Sequence, residues 1–375
     1  MTRTRRNYHG EGSIRQRSDG KYEARYYNAD GKRRSLYATT EKDAKEKLRD
    51  AQAAVKRGEA QANLRMTVGT YLTEWLETVA APRIRPRTLE SYRQIVTGHL
   101  IPAMGNKKLA KLTPVNVQKY LNEKLASGLS KRTVTYHRAI LRRALNDAVR
   151  HGHVTRNVVT LTDPPGQDHK EQRWLDIEES QRFIQSAREH RLSALWILAI
   201  TSGMRKGELL GLRWRDIDLD QKKIQVRNQL QNIDGRLQLQ PLKTDKSKRT
   251  VYLTTIAERE LCDHRKMQVA ERLRAGEHWQ EHDFVFATPI GKPVEPRNLV
   301  RAFKQILQTA GLPDVRLHDL RHSAASTMIS QGIDIRTVSD VLGHSQITLT
   351  LDTYSPLTEG DRRSAAERLD DVYGT

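Results

Sequence analysis

Three blocks in the C-terminal half carry side chains suited to work on a phosphodiester. The first is Thr201-Ser202-Gly203-Met204-Arg205-Lys206-Gly207-Glu208-Leu209. An apolar helix runs up to Gly203, which lets the chain turn, and Glu208 stands where it can hold Arg205. The second is Leu317-His318-Asp319-Leu320-Arg321-His322. His318 and Arg321, three residues apart, share a helical face, while Leu317, Leu320 and Ala324 pack inward. Asp319 is expected to cap or orient its helix. The third is Leu342-Gly343-His344-Ser345, followed about ten residues on by Thr353-Tyr354-Ser355. Each fragment alone has an ordinary explanation: a helix end with a surface ion pair, a satisfied core histidine, a half-buried packing tyrosine.

Taken together they describe a reaction. Arginine presents a planar fork that matches phosphate oxygens, so Arg205 and Arg321 can clamp the two non-bridging oxygens. That stabilises a pentacoordinate transition state without a metal. Tyr354 would be the nucleophile, forming a covalent phosphotyrosine. With an ordinary pKa near ~10 it needs a base or an electropositive pocket. His318 and His344 can exchange protons and hydrogen-bond the phosphate. The departing 5′ oxygen needs a proton, and Lys243, in Pro241-Leu242-Lys243-Thr244, is the candidate donor. Lys246 and Lys248 lie close by as alternatives.

These groups need a scaffold, and the charge says what it must hold. Lys plus Arg is 65 against 45 Asp plus Glu, a net +20. The excess is +7 over residues 1–60, +12 over 61–157 and only +1 over 158–375. A first half that grips a polyanion and a second half that does something else is the direct reading. Residues 1–60 read as a small β module: runs over 12–17, 22–27 and 33–37, punctuated by Asp19-Gly20 and Asp30-Gly31, then a helix from Glu41 to about Lys56 capped by Thr40. Arg15, Arg17, Lys21, Arg25, Arg33 and Arg34 would lay this sheet in a DNA groove. After a polar linker, 66–157 turns helical. Val68, Tyr71, Leu72, Trp75, Leu76 and Val79 form one stripe. A second helix is expected from Thr88 to about His99, a third after Thr113-Pro114, and a fourth from Arg132 to Arg150 with Arg138, Arg142 and Arg143 on a basic face. Asp163-Pro164-Pro165-Gly166 cannot continue a helix. From 170 to 375 the pattern is mainly helical, with one strand meander from Lys223 to Leu253, broken at Asp234-Gly235. The fold class is thus multidomain: a three-stranded β plus helix module, an all-α bundle and a mainly α, mixed α+β domain.

In this order the residues resemble the tyrosine site-specific recombinases, whose pattern is Arg, Lys, His-x-x-Arg, His or Trp, then Tyr. Here it reads Arg205, Lys243, His318 with Arg321, His344 and Tyr354. The resemblance covers about 174–360 strongly. It implies a helical core-binding (SAM-like) domain at 66–157 that closes a clamp on DNA, and an arm-type DNA-binding domain at 1–60 as in phage-type integrases. It implies integration or excision of a phage or other mobile element, a 3′-phosphotyrosyl intermediate and a homotetramer on two attachment sites in double-stranded DNA. A DNA-bending host factor and an excisionase are possible partners. It also implies that Glu208 supports the first arginine and that the helix expected from Asp361 to Tyr373 docks on a neighbouring protomer. A resolvase or transposase of the same chemistry, or a non-catalytic DNA-binding regulator, is the alternative.

No cofactor is expected, and no G-x-x-x-x-G-K-[ST] occurs, in line with ATP-independent chemistry. No metal is expected either. His278-Trp279-Gln280-Glu281-His282 has zinc-protease spacing but no evident third ligand. Asp216-x-Asp218-x-Asp220 has calcium-loop spacing, but Gln221 and Arg227 occupy the positions for Gly and Glu. The single cysteine, Cys262, excludes an internal disulfide. No apolar run approaches ~18 residues, and no apolar stretch follows Arg3, Arg5 and Arg6, so a cytoplasmic protein without membrane span or signal peptide is expected.

Overall fold

The computed structural model describes residues 12–27, 31–56, 65–166, 173–242 and 247–343. Its contacts divide the chain into two units, 1–169 and 170–375.

The first unit begins with strands β1 (Ser13–Gln16), β2 (Tyr22–Tyr27) and β3 (Arg33–Ala38), antiparallel in that order, and helix α1 (Glu41–Lys56). The β1–β2 turn closes at Asp19-Gly20, with Gly20 at φ +77°. Ala24, Tyr26 and Ala38 face α1 and meet Ala44 and Leu48 in a small core. The strand period puts Arg15, Glu23, Arg25, Tyr37, Tyr27 and Arg33 on the open face, and Arg34, opposite Tyr26, on the helix side. Arg15 and Arg25 both donate to Glu23, at 2.6 and 2.9 Å, and Ser35 donates to it at 2.8 Å. Bonds from Arg25 and Ser35 hold the Glu23 carboxyl down to about 2.

A helical bundle follows. Helix α2 (Val68–Glu74) runs into a π turn (Trp75–Ala80), and α3 (Pro86–Ile95) runs through a second π turn (Val96–Leu100) into α4 (Ile101–Met104). The second helix therefore starts earlier and reaches further than Thr88 to His99. Both wide turns precede a proline. Ala81 N–H reaches back to Leu76 and Ile101 N–H to Val96, a five-residue step just before Pro82 and Pro102. A proline ring clashes with the carbonyl four residues back, and widening the turn relieves the clash without ending the helix. Helix α5 (Pro114–Ala126) starts with a Thr113–Asn116 capping box, and α6 (Lys131–Arg150) with a Ser130 cap.

The apolar face of α6, Val134, Ile140, Leu141, Ala144, Leu145 and Ala148, lies in the same core as Leu72, Trp75 and Val96. Trp75 Nε1 donates to Asp147 at 2.9 Å and Tyr71 Oη to the Ala144 carbonyl at 2.6 Å, fastening α6 to the first helix. His137 is fully buried, with Tyr120 Oη 2.8 Å from its Nδ1. Burial, with His99 and Lys124 nearby, pushes its pKa down to about 4. The unfolded chain protonates near 6.5, so the folded state loses stability as pH falls from about 6.5 to 4, and this group has no effect above 6.5. We expect a loss of about 2–3 kcal/mol at pH 4 relative to pH 7 from this residue. His137→Gln should flatten the dependence in urea titrations at the two pH values.

The second unit is built around α8 (Ser193–Ser202), whose residues from Ala194 to Ile200 are all buried. Around it lie α7 (Ile177–Ala187), α9 (Lys206–Leu210), α10 (Thr255–Ala275), α11 (Pro296–Thr309), α12 (Asp319–Ser330) and α13 (Ile335–Leu342). The expected single meander is two structures. Strands β4 (Ile217–Asp218), β5 (Lys223–Val226) and β8 (Arg249–Tyr252) form one sheet, while β6 (Asn228–Ile233) and β7 (Arg236–Pro241) form a separate hairpin inserted between β5 and β8. Asp234 and Gly235, both at positive φ, make the hairpin turn, as Asp-Gly permits. Phe284 pairs with Arg213 in a single bridge, and Phe284, Val285 and Phe286 serve the core.

Candidate active site

Arg205 caps the start of α9. Glu208 accepts its backbone N–H at 3.0 Å through Oε2 and its Nη1 at 2.9 Å through Oε1. Arg205 Nη2 donates to the Gly343 carbonyl at 3.2 Å, just past α13. Glu208 is 2% exposed. Burial alone would push its carboxyl up, but Arg249 and Arg205 outweigh that and hold it below the usual range. Arg249 donates to Glu208 Oε2 at 2.9 Å and to the Val341 carbonyl at 2.7 Å. Neither Arg249 nor these contacts were legible from motif spacing, which drew attention only to the lysines beside it.

Arg321, on α12, is buried and donates from Nη1 to the Gly203 carbonyl at 2.8 Å. The two arginines thus meet around one turn, although far apart in sequence. That turn requires glycine: Gly203 has φ +63°, and a Cβ there would lie 2.5 Å from Leu342 Cδ2 and 3.4 Å from Ala324 Cβ. Gly203→Ala should therefore unseat α13 from α8 and lower stability by about 1–3 kcal/mol. Urea unfolding of the full chain measures this.

His318 immediately precedes α12. Burial, then the charges of Arg321 and Arg205, lower its pKa, so the imidazole is neutral at pH 7 and able to accept a proton. Asp319 orients the start of the helix by accepting Arg316 N–H at 2.8 Å and its guanidinium at 2.8 Å. His322 is an addition to the site. It stacks on Trp174, centroids 6.0 Å apart, and stands edge-on to His318 at 5.8 Å. Burial and His318 push its pKa down to about 4. Lys243, Lys246, His344, Tyr354 and the segment from Asp361 to Tyr373 lie outside the described residues. Lys248 is exposed.

Not every basic residue expected on DNA is available for it. Arg138 donates to the Thr162 hydroxyl at 3.0 Å and to the carbonyls of Val159 and Thr162 at 3.2 and 2.7 Å, so its guanidinium ties α6 to the Val158–Leu161 turn. Arg143 donates to Tyr92 Oη at 3.2 Å but is exposed, as are Arg142, Arg33 and Arg34. Arg17 lies over the Tyr37 ring at 5.2 Å, and Lys21 is exposed beside the turn. Two carboxylates of the calcium-like spacing are engaged, Asp216 by Arg213 and Arg227 and Asp218 by Lys223. His278 ends a short turn of 3-10 helix and His282 lies outside any helix or strand, so the two share no helix. No cluster of three candidate metal ligands occurs among the described residues.

The model described as "Phage integrase family" matches residues 173–360, and "Phage integrase, N-terminal SAM-like domain" matches 67–125. The chain belongs to the phage integrase family, the tyrosine recombinases, and is an enzyme that cuts and rejoins DNA. A "Tyrosine recombinase XerC-like" protein of Caldanaerobacter subterraneus subsp. tengcongensis is 29% identical over 364 residues, 91% of this chain and 92% of that one. The fold is shared with the Tn1549 transposon integrase in complex with a circular intermediate DNA, at TM-score 0.70 and 17% identity over 81% of this chain and 99% of that one. It is also shared with a lambda integrase tetramer bound to a Holliday junction, at TM-score 0.59 and 20% identity over 89% and 96%. Among the described residues no helix is long and apolar enough to cross a membrane.

Proposed function

We propose that the chain integrates and excises a phage or other mobile element by conservative exchange between two attachment sites. The observation that carries this reading is the meeting of Arg205 and Arg321 around Gly203, with His318 at the start of the helix that carries Arg321. Arg205 and Arg321 hold the non-bridging oxygens of the scissile phosphate. Tyr354 Oη attacks phosphorus and passes its proton to His318 or His344. The bond to the 5′ oxygen breaks, and that oxygen takes a proton from Lys243. The 3′ phosphate stays on Tyr354 until another strand's 5′ hydroxyl reverses the step, so bond energy is conserved and no nucleotide is consumed.

Three domains serve this reaction: an arm-type DNA-binding domain over 1–60, a core-binding domain over 66–157 and the catalytic domain over 170–375. Arg33, with Tyr27 and Tyr37 on the open face of the first sheet, and Arg142 and Arg143 on α6 are the proposed backbone contacts. Four protomers act on two duplexes, a reading supported by the tetrameric lambda neighbour. The work takes place in the cytoplasm, with an excisionase and a DNA-bending host factor setting direction. Likeness to a transposon integrase supports a transposing element as the second reading.

The test is strand joining between two DNA molecules that carry the element's junction and its target. Recombinant product supports the integrase. Cleavage with relaxation and no joining between molecules points to a topoisomerase-like enzyme. Binding with neither activity points to a regulator.

A further inference from the structure

Arg249 opens β8, and its side chain is 6% exposed. It makes three separate attachments. Nε donates to the Val341 carbonyl at 2.7 Å, Nη2 to Glu208 Oε2 at 2.9 Å and Nη1 to the Ser247 carbonyl at 3.3 Å. Val341 lies in the last turn of α13, where helix carbonyls lack intrahelical partners and attract a cation. Arg205 takes the Gly343 carbonyl just beyond. The two guanidiniums thus hold the same helix end and share one carboxylate. Gly343 fits this closeness: at φ +68°, a Cβ there would lie 3.0 Å from Arg249 Cδ and 3.1 Å from its Nη1.

The charge count gives the arrangement its meaning. Glu208 paired with Arg205 alone would be a neutral couple, and its carboxylate would compete with a phosphate for the guanidinium. With Arg249 on the same carboxylate, the trio carries +1, and part of the pull of Glu208 is drawn away from Arg205. A guanidinium held in place but still electrostatically open is what binding a phosphate anion requires.

We propose that Arg249 is a positioning residue for strand cleavage. It acts through Glu208 to keep Arg205 oriented and cationic, and through the Val341 carbonyl to fix the end of α13 from which residues 344–375 continue. This rests on the reading of Arg205 as a phosphate ligand.

The experiment uses the full chain at saturating concentration on nicked DNA, and measures the rate of covalent adduct formation. Two substrates are compared: ordinary DNA, and DNA with a methylphosphonate at the scissile position, where one charged oxygen is replaced by a methyl group. A residue that matters because Arg205 must meet a charged phosphate matters less when that charge is gone. A merely structural residue matters equally on both. Arg249→Met should slow cleavage of ordinary DNA by about 10²-fold, with under about 5-fold loss on methylphosphonate DNA and unchanged DNA affinity. Arg249→Lys keeps a charge on Glu208 but cannot span both attachments; it should fall between wild type and Met, and it provides the same contrast if the Met variant folds poorly. Glu208→Gln combined with Arg249→Met should cost no more than the larger single loss.

Equal losses on the two substrates, or no loss, would overturn the proposal. Arg205→Ala run in parallel tests the premise. If that variant shows no contrast between substrates, the reading of Arg205 fails. If it shows the contrast and Arg249→Met does not, only the role of Arg249 fails.

Discussion

A Tyr354→Phe protein should bind DNA as tightly as the wild type and form no denaturation-resistant adduct on nicked DNA. The substitution removes only the hydroxyl oxygen proposed to attack phosphorus and leaves the ring. Loss of a covalent nucleophile lowers turnover by about 10⁴-fold or more, which on a denaturing gel is complete absence of the shifted band. DNA affinity should be unmoved, because the net +19 of the first 157 residues supplies the attraction to phosphate. Residues 170–375 contain three tyrosines, Tyr252, Tyr354 and Tyr373, so the alternatives are few. Tyr252 stands on β8 and is 76% exposed. An adduct that persists in the variant would transfer the role to one of the other two, and Tyr252→Phe and Tyr373→Phe would decide between them.

Signals in the chain are legible where the physics is local. Asp19-Gly20 and Asp234-Gly235 make turns because the positive φ of Gly20, Asp234 and Gly235 costs these residues little. Thr113-Pro114 starts α5 because threonine caps and proline suits the first helical position. The Glu208 contact to Arg205 lies within three residues, and the spacing alone foretold it. What escaped depends on partners far away in sequence. Nothing near Arg249 announces that Glu208 and Val341 wait for it. Nothing near Arg138 announces that residues 159–162 will take its Nε and Nη2, although as one of several arginines on α6 it reads as a DNA contact. The pairing of β5 with β8 skips a whole hairpin, and alternation within a strand cannot say which strand it pairs with. The two π turns escaped for another reason: a proline reads as a helix stop, yet a wider turn lets the helix absorb it.

Arg321→Lys separates charge from geometry at the centre of the site. Lysine keeps the positive charge, so a site that needs only charge would lose little. The structure argues for geometry. Arg321 is 4% exposed, and one arm of its guanidinium is committed to the Gly203 carbonyl at 2.8 Å. The planar fork allows the same group to brace the turn that carries Arg205 and still present N–H groups to a phosphate oxygen. An ammonium on a flexible stem is a point donor. To reach phosphate it must release Gly203, leaving a buried carbonyl without its bond, at a cost of about 1–3 kcal/mol. To keep Gly203 it must leave the phosphate. Either choice removes transition-state stabilisation, and cleavage should fall by about 10²–10³-fold while DNA affinity stays within about threefold. Single-turnover cleavage on nicked DNA, with binding measured on the same duplex, reads both. A loss below about tenfold would mean that charge suffices there and that Gly203 needs no second arm to hold it.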